Sequence, residues 1–196
     1  MFKPSLKERI DHKLELYTNF IFAPFRKKRL NNRDFTIISN NCWGGHVYEY
    51  FGLPKLSPTV GCYFFADDYL KFVEYFDYYI NQPLGFISLN DSKYKKEIIN
   101  NGKDNLKASI GILKDIEIVF LHYKTKEIAL EKWNRRIKRI NQNNLIFKFS
   151  QQNLCNDEHI IKFEKLKLNG KKFVLQKNQI KLIVEFIILV LRMKAN

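Results

Sequence analysis

Short apolar runs alternate with helical patterns along most of this chain, and this alternation restricts the fold more than any other feature. Runs suited to strands lie at residues 35–38, 60–65, 84–89, 110–113, 116–121, 145–149 and 172–175. Between them, apolar residues spaced every three or four positions predict helices at 45–51, 66–80, 125–140 and 157–166. Strands that alternate with helices favour parallel pairing. We therefore predict an α/β fold with three layers, in which a largely parallel sheet carries helices on both faces.

The composition divides the 196 residues into three parts, and a single core is expected for this length. The parts are a basic N-terminal helix and connector (1–33), an α/β domain of catalytic type (34–175) and an apolar C-terminal tail (176–196). In the first part, an amphipathic helix at 5–22 is predicted to end at Pro24. In the second, the polar stretch 91–107 is expected to be an exposed, mobile loop. In the tail, the apolar run 186–191 is far shorter than the ~20 residues of a membrane span, so a buried terminal element is expected.

The net charge of +14 is concentrated at the two ends of the chain. Residues 1–33 carry nine Lys or Arg and three acidic residues, residues 161–196 carry nine and two, and the middle is nearly neutral. Basic ends favour anionic partners such as a membrane surface, a phosphorylated lipid or an acidic glycan. Nucleic acid is disfavoured, because the aromatic residues sit at core spacing and no nucleic-acid-binding motif occurs. The richness in Lys, Asn and Ile is also what an A/T-rich coding sequence produces, so charge alone does not define the partner.

The cysteines and histidines indicate an intracellular protein without a metal site. Cys42, Cys62 and Cys155 are odd in number and widely spaced, and neither they nor the four histidines have metal-ligand spacing. The first residues alternate charged and apolar side chains, unlike the apolar core of a signal peptide. We therefore expect free thiols and a cytoplasmic location, with peripheral contact to the inner face of the membrane as a further expectation from the charge.

The turn after the first predicted strand is the main candidate for a site. There the strand at 35–38 runs into Ser39, Asn40, Asn41, Cys42 and a glycine pair. Ligands of open α/β sheets bind at the carboxyl ends of strands, and a thiol that opens a helix is favoured as a thiolate. Cys42 or Ser39 is therefore a candidate nucleophile. His122 ends another predicted strand and is the first candidate base, and His46 is the second.

Other residues around this turn and on a later helix have the chemistry to bind a substrate. Asn40 and Asn41 would donate to an oxyanion or to sugar hydroxyls, although Asn also suits turns without any function. Gly44 and Gly45 are a weak phosphate-loop signal. On the helix at 125–140, the sequence Asn134, Arg135, Arg136 is a candidate anion clamp, because guanidinium groups bind phosphate or carboxylate in a bidentate manner.

The long signature at residues 35–45 resembles that of a bacterial family catalogued as a domain of unknown function. Stretches 57–61, 120–124 with 129–136, and 148–155 are similar to the same family, so the resemblance covers about residues 34–175. Members of this family are often labelled exopolysaccharide or capsule biosynthesis proteins. The resemblance implies a place in surface-polysaccharide assembly and adds weight to residues 39–45, His122 and 134–136, and less to Asn153 and Cys155. Cys62 stands where the family has an ordinary apolar residue, which argues against a role for it.

From these observations we expect a transferase of surface-polysaccharide biosynthesis that moves an acyl-type group to a glycan or lipid-linked glycan. Two alternatives remain open at this point. A nucleotide-sugar glycosyltransferase would use Asp67 and Asp68 to hold a divalent metal, although an acidic pair also suits a helix start. A non-catalytic scaffold of a polysaccharide assembly complex would instead rely on the basic ends. The sequence indicates no particular cofactor.

Overall fold

The computed structural model describes residue 18 and residues 20–102 and 110–175, and these form an α/β fold, which confirms the predicted class. The helices are α1 (residues 20–28), α2 (Trp43–Tyr50), α3 (Ala66–Glu74), α4 (Phe76–Ile80), α5 (Lys95–Asn100), α6 (Lys126–Ile137) and α7 (Asp157–Lys165). The strands are β1 (Thr36–Ser39), β2 (Cys62–Tyr63), β3 (Gly85–Ile87), β4 (Ile110–Leu113), β5 (Ile116–Phe120), β6 (Leu145–Ser150) and β7 (Lys171–Leu175). The predicted tail at 176–196 and most of the predicted helix at 5–22 lie outside the described residues.

A parallel sheet in the order β1-β6-β7 holds the site. Thr36 pairs with Leu145 and Ser39 with Lys148 in the β1–β6 register, while Ser150 pairs with Leu175 in the β6–β7 register. Every residue of β1 and β6 is buried. Strands covered on both faces read as continuous apolar runs, which is why both were visible in the sequence.

The other four strands form an antiparallel sheet in the order β2-β5-β4-β3, so parallel pairing is restricted to three strands. Strands β4 and β5 are joined by only two residues, Lys114 and Asp115, and Leu113 pairs directly with Ile116. Lys114 has a φ of 58°, the left-handed conformation that short hairpin turns need. A parallel connection requires a crossover of a dozen or more residues, so this pair had to be antiparallel.

Aromatic side chains fill the core between the two sheets and the helices. Trp133 of α6 contacts Phe72 of α3 and Phe120 of β5, and Tyr69 stacks on Phe149 of β6. All five residues are buried. Aromatic pairs of this kind add about 0.5–1.5 kcal/mol each beyond the apolar area that they bury. This core anchors α3 and α6 against the strands from which the site residues project.

Asn40 joins the two sheets. Its backbone N–H donates to Lys148 O, and its side-chain amide continues the ladder by exchanging hydrogen bonds with Ser150, donating to the carbonyl at 3.0 Å and accepting from the N–H at 3.1 Å. Its own carbonyl accepts from Phe64 N–H, which follows β2. The residue after β1 is therefore bonded to both sheets.

Two predicted boundaries near helices differ from the structure. Helix α1 continues through Pro24 to residue 28, so the prediction that Pro24 ends the helix is wrong. Proline removes one donor from a helix, and the carbonyl it leaves without that donor belongs to Phe20, a residue exposed to water. The helix predicted at 66–80 is interrupted at Tyr75, whose φ of −116° and ψ of 44° separate α3 from α4.

The prediction of a loop throughout residues 91–102 is wrong, although most side chains there are exposed as predicted. Helix α5 lies there, and its Ile98 is fully buried. Ser92 Oγ donates to Glu117 Oε2 at 2.5 Å, and the Tyr94 ring stacks on Phe65 with 3.9 Å between ring centroids. Polar residues that are bonded to buried groups hold this segment in place. Residues 103–109 lie outside the described part.

Thr125 caps α6, because its side chain accepts from Ile128 N–H at 3.3 Å. Among the described residues, no helix combines the length and the apolar character needed to cross a lipid bilayer.

Candidate functional site

The turn that follows β1 is held by a network of side chains centred on Asn41. The Oδ1 atom of Asn41 accepts from Ser39 Oγ at 3.1 Å, from Trp43 N–H at 3.2 Å and from Lys148 Nζ at 2.9 Å. Its amide nitrogen donates to Ser150 Oγ and to Gln152 Oε1. Asn41 therefore fixes the turn, and the bonds of Asn40 to Ser150 do the same. Both amides that were predicted to bind a substrate are engaged with the protein itself.

Cys42 is half-buried at the position immediately before α2, and its Sγ lies 3.7 Å from the Cys62 carbonyl oxygen. The two glycines that follow allow close packing here. A Cβ at Gly44 would lie 3.1 Å from a methyl carbon of Ile37, and one at Gly45 would lie 3.1 Å from a methyl carbon of Val60. The glycine pair brings the helix onto β1, a role that needs no phosphate.

Lys148 lies beneath this turn and was not among the predicted site residues. It is on the central strand β6, is buried, and has its Nζ 5.5 Å from the centre of the Trp43 ring. Burial lowers the pKa of Lys148 to about 7, and the neighbouring Cys42 partly opposes that shift. The available signal was a lysine within a strand that is otherwise continuously apolar.

A cleft of about 310 Å³ opens beside Cys42. One wall is the first part of α2, with His46, and another is the segment that leads from Lys55 to Gly61. The facing wall contains His122 and residues of α6. The lining residues are Cys42, Gly45, His46, Glu49, Lys55, Val60, Gly61, His122, Tyr123, Lys132 and Arg136. The structure thus brings the predicted nucleophile, both predicted bases and one predicted clamp residue to a single cleft.

The position of His122 depends on Gly61. The carbonyl of Gly61 accepts from the backbone N–H groups of Leu121 and His122, at 3.0 and 3.2 Å. Gly61 has a φ of 80°, and a Cβ there would lie 2.9 Å from Cε2 of Tyr123. Only glycine meets both requirements at this position, so this residue determines the shape of the cleft wall.

Arg136 is a buried cation on the cleft wall. Its Nη1 donates to Val60 O at 3.1 Å and to the Tyr123 hydroxyl at 2.6 Å, and Tyr123 in turn donates to Val60 O. Within residues 20–102 and 110–175, no carboxylate lies at ion-pair distance from this guanidinium. Charges that are buried without a partner are costly, and a cleft is where a ligand can supply the partner.

The rest of the predicted clamp lies elsewhere. Arg135 is on the exposed side of α6 and forms an ion pair with Glu131 at 2.9 Å. Asn134 is exposed as well, and neither residue lines the cleft. Helical periodicity explains the separation, because consecutive residues of a helix face different directions.

Several other predicted residues are placed away from the cleft. Ser39 is buried under the turn and donates to Asn41. Asn153 adopts a φ of 55° and donates its side-chain amide to Phe64 O at 3.1 Å, so it joins the segments that follow β6 and β2. Cys62 is fully buried, and burial raises the pKa of its thiol. Cys155 lies outside the cleft, and burial raises the pKa of its thiol to about 11.

The acidic pair at the start of α3 does not converge on a common point. Asp68 is buried, with Oδ1 2.6 Å from Lys93 Nζ and Oδ2 accepting from Glu117 N–H at 2.7 Å. Asp67 is exposed and lies 3.0 Å from His159 Nε2. Among the described residues, no group of three or more His, Cys, Asp or Glu is arranged to hold a metal ion.

Comparison with known proteins identifies related sequences. The family model described as domain of unknown function DUF1919 matches residues 14–189. An uncharacterized protein of Haemophilus influenzae is 29% identical over 145 residues, which are 74% of this chain and 63% of that protein. The alignment thus leaves more than a third of that relative uncovered.

Proposed function

The chain belongs to the DUF1919 family of domains of unknown function, and from the chemistry of its cleft we propose that it is a transferase that moves an acyl-type group through Cys42. The observation that supports this proposal is the convergence of Cys42, His122 and Arg136 on one cleft from three separate parts of the chain. A thiol, an imidazole and a cation are the groups that a covalent acyl transfer needs.

In the first half of the proposed reaction, Cys42 attacks the acyl donor. His122 takes the thiol proton, Sγ forms a bond to the acyl carbon, and the bond from that carbon to the leaving group breaks. The leaving group receives the proton from His122. The product is a thioester on Cys42, which is activated toward a second nucleophile.

In the second half, a hydroxyl of the acceptor attacks the thioester carbon. His122 takes the hydroxyl proton as the new ester bond forms, and the bond to Sγ breaks, so that Cys42 leaves as a thiolate and recovers the proton from His122. The acceptor that we propose is a glycan or a lipid-linked glycan of a surface polysaccharide. This part of the proposal is supported by the resemblance of the signature at 35–45 to proteins labelled as exopolysaccharide or capsule biosynthesis proteins.

Arg136 is proposed to recognise an anionic group of the donor. It is a buried guanidinium on the wall of the cleft. Lys132, four residues earlier on α6, lines the same cleft, with Nζ 5.5 Å from the centre of the Tyr123 ring. Phosphate is the anion that suits this pair best, because guanidinium and ammonium groups both bind its oxygen atoms. An acyl donor that carries phosphate groups is therefore the expected class.

The test is to trap the thioester. Purified protein is incubated with acetyl-coenzyme A, and intact-mass spectrometry measures whether one acetyl group is gained and where it is attached. We expect the adduct on Cys42, its loss in Cys42→Ala, and much slower formation in His122→Ala. Cys155→Ala is the matched control, because that thiol is half-buried but outside the cleft.

Three outcomes would contradict the proposal. An adduct that persists in Cys42→Ala, or equal labelling of Cys42 and Cys155, would remove Cys42 as the nucleophile. If no adduct forms with any acyl donor and a nucleotide-sugar with Mn²⁺ raises the melting temperature, the glycosyltransferase alternative takes its place.

A further inference from the structure

Helix α1 packs on the domain through the side that does not carry its large apolar residues. Ala23 and Leu30 are buried, and a Cβ at Gly52 would lie 3.0 Å from the Cβ of Ala23. The guanidinium of Arg26 lies over the Tyr50 ring, 3.8 Å from its centre, and Nη1 donates to the Tyr50 carbonyl. These contacts fix which side of α1 faces α2 and therefore which side faces away from the described part of the domain.

The side that faces away carries the large apolar residues. Phe20, Ile21, Phe22 and Phe25 are 83%, 47%, 50% and 64% exposed, and they are four of the ten exposed large hydrophobic residues in the described part of the chain. A helix on the surface of a water-soluble domain normally has its apolar residues inside and its polar residues outside. Since α1 reverses that order, its outer face is suited to a partner that is not water.

The segment that carries this face is strongly cationic. Residues 20–33 contain five Lys or Arg and no Asp or Glu. Of these, Lys28, Arg29 and Arg33 are exposed. The partner must therefore offer both an apolar interior and a negative surface. A second copy of the chain fits poorly, because it would place one cationic helix against another.

We propose that α1 is an interfacial helix that docks the protein on the surface of an anionic phospholipid bilayer. Phe20, Ile21 and Phe25 enter the boundary between headgroups and acyl chains, while Lys28 and Arg29 contact the phosphates. The helix lies in the plane of the membrane. The inference does not depend on the proposed acyl transfer, because it uses no residue of the cleft.

The experiment is co-sedimentation of the full chain with vesicles of phosphatidylglycerol and phosphatidylcholine, compared with vesicles of phosphatidylcholine alone. We expect binding to the anionic vesicles and a loss of about tenfold or more in Phe20→Ser/Phe25→Ser and, separately, in Lys28→Glu/Arg29→Glu. About 0.5 M NaCl should weaken the binding, because salt screens the phosphate contacts.

Matched controls remove exposed residues of the same kinds from other helices. Ile128→Ser/Ile161→Ser removes apolar residues from α6 and α7, and Lys95→Glu/Lys96→Glu reverses charges on α5. Both controls should bind vesicles as the native protein does. The substituted side chains are exposed, so all four variants should retain the native melting temperature.

Three results would overturn the inference. One is the absence of vesicle binding, and another is equal loss of binding in the control variants, which would indicate nonspecific attraction. The last is a dimer in sedimentation velocity that Phe20→Ser/Phe25→Ser abolishes, found without any vesicle binding, which would make a second copy of the chain the occupant of this face.

Discussion

Two buried charged residues, Asp68 and Arg136, differ in whether the protein supplies an oppositely charged partner. Asp68 lies under the antiparallel sheet, where Lys93 and the Glu117 N–H occupy its two oxygen atoms. Burial raises the pKa of Asp68, and these two partners oppose the rise. Arg136 lies on the wall of the cleft and has backbone and hydroxyl acceptors, but no carboxylate partner within the described part of the chain.

The difference separates a structural charge from a charge that is suited to a ligand. An ion pair that is closed within the protein contributes mainly through the cost of breaking it. A buried cation that faces a cleft and has no counter-ion in the protein can attract an anion that enters the cleft. Asp68→Ala and Arg136→Met test this distinction directly, and Lys148→Met and Gly61→Ala test the turn and the cleft wall beside them. The four substitutions follow in order of decreasing effect on stability.

Asp68→Ala should reduce the free energy of unfolding by about 3 kcal/mol, because it leaves the Glu117 N–H without its acceptor and the Lys93 ammonium with only the Asp115 carbonyl. The value is at the low end for a buried pair, since the Lys93 side chain is 44% exposed and regains water. Urea denaturation measures the change. Asp67→Ala, at an exposed position of the same helix turn, should lose only about 0.5 kcal/mol. Equal effects at the two positions would contradict the assignment of Asp68 as a structural charge.

Lys148→Met should stabilise the protein by roughly 2–3 kcal/mol near pH 6, because an apolar side chain replaces a buried cation. The pKa of Lys148 is lowered in the folded state to about 7 from an ordinary 10.5. Below about pH 7 the folded native protein therefore carries the full free-energy cost of burying a charged Lys148. This cost is lost as pH rises toward about 10.5, where Lys148 is neutral in both the folded and the unfolded state. The variant's advantage in urea denaturation should shrink over that interval. A gain that does not change with pH would exclude this explanation.

Gly61→Ala should lose about 2 kcal/mol, from a positive φ and from the approach of the new Cβ to Tyr123. Gly102→Ala is the matched control, because Gly102 has a similar φ of 65° and no described residue within 4 Å of a new Cβ. It should lose about 1 kcal/mol, from the φ alone. Thermal denaturation compares the two. If the losses are equal, Tyr123 moves aside at no cost, and the cleft wall is not rigid.

Arg136→Met should have the smallest effect, a loss of about 1 kcal/mol in the free energy of unfolding. The loss is small because Tyr123 still donates to Val60 O after the substitution. Its effect on binding should be larger. Pyrophosphate should raise the melting temperature of the native protein and not that of the variant. Arg135→Met, on the exposed side of α6, should keep the native response. A loss of stability as large as that of Asp68→Ala would show that Arg136 is a structural charge as well.

Local patterns in the sequence were sufficient to predict most elements, but not how they pair. The residues of β4 and β5 were predicted as strands, and the two-residue connection at Lys114 and Asp115 already excluded a parallel pair. That the segment around α5 is structured was harder to predict. Ser92 and Lys93 look like loop residues, and what holds them are two carboxylates, Asp68 and Glu117, that are distant in the sequence.

The same limit applies to the site. Each cleft residue was predicted from its local sequence: Cys42 and His122 because they follow strands, and Arg136 because it lies on a basic helix. Only the fold brings the three to one cleft. Lys148 was missed because a lysine in a strand is usually read as a surface residue. The contacts that bury it, with Asn41 and Trp43, are more than 100 positions away in the sequence and cannot be read locally.

The position of Asn40 between the sheets has a consequence for how the molecule opens. The amide hydrogen of Ser150 is bonded to the Asn40 side chain, and that of Phe64 to the Asn40 carbonyl. Neither amide can exchange its hydrogen with solvent until its bond to this residue is broken. Local opening of either sheet therefore requires breaking a hydrogen bond to the residue that also holds the other sheet. We expect the parallel and antiparallel halves to open together, as one cooperative unit.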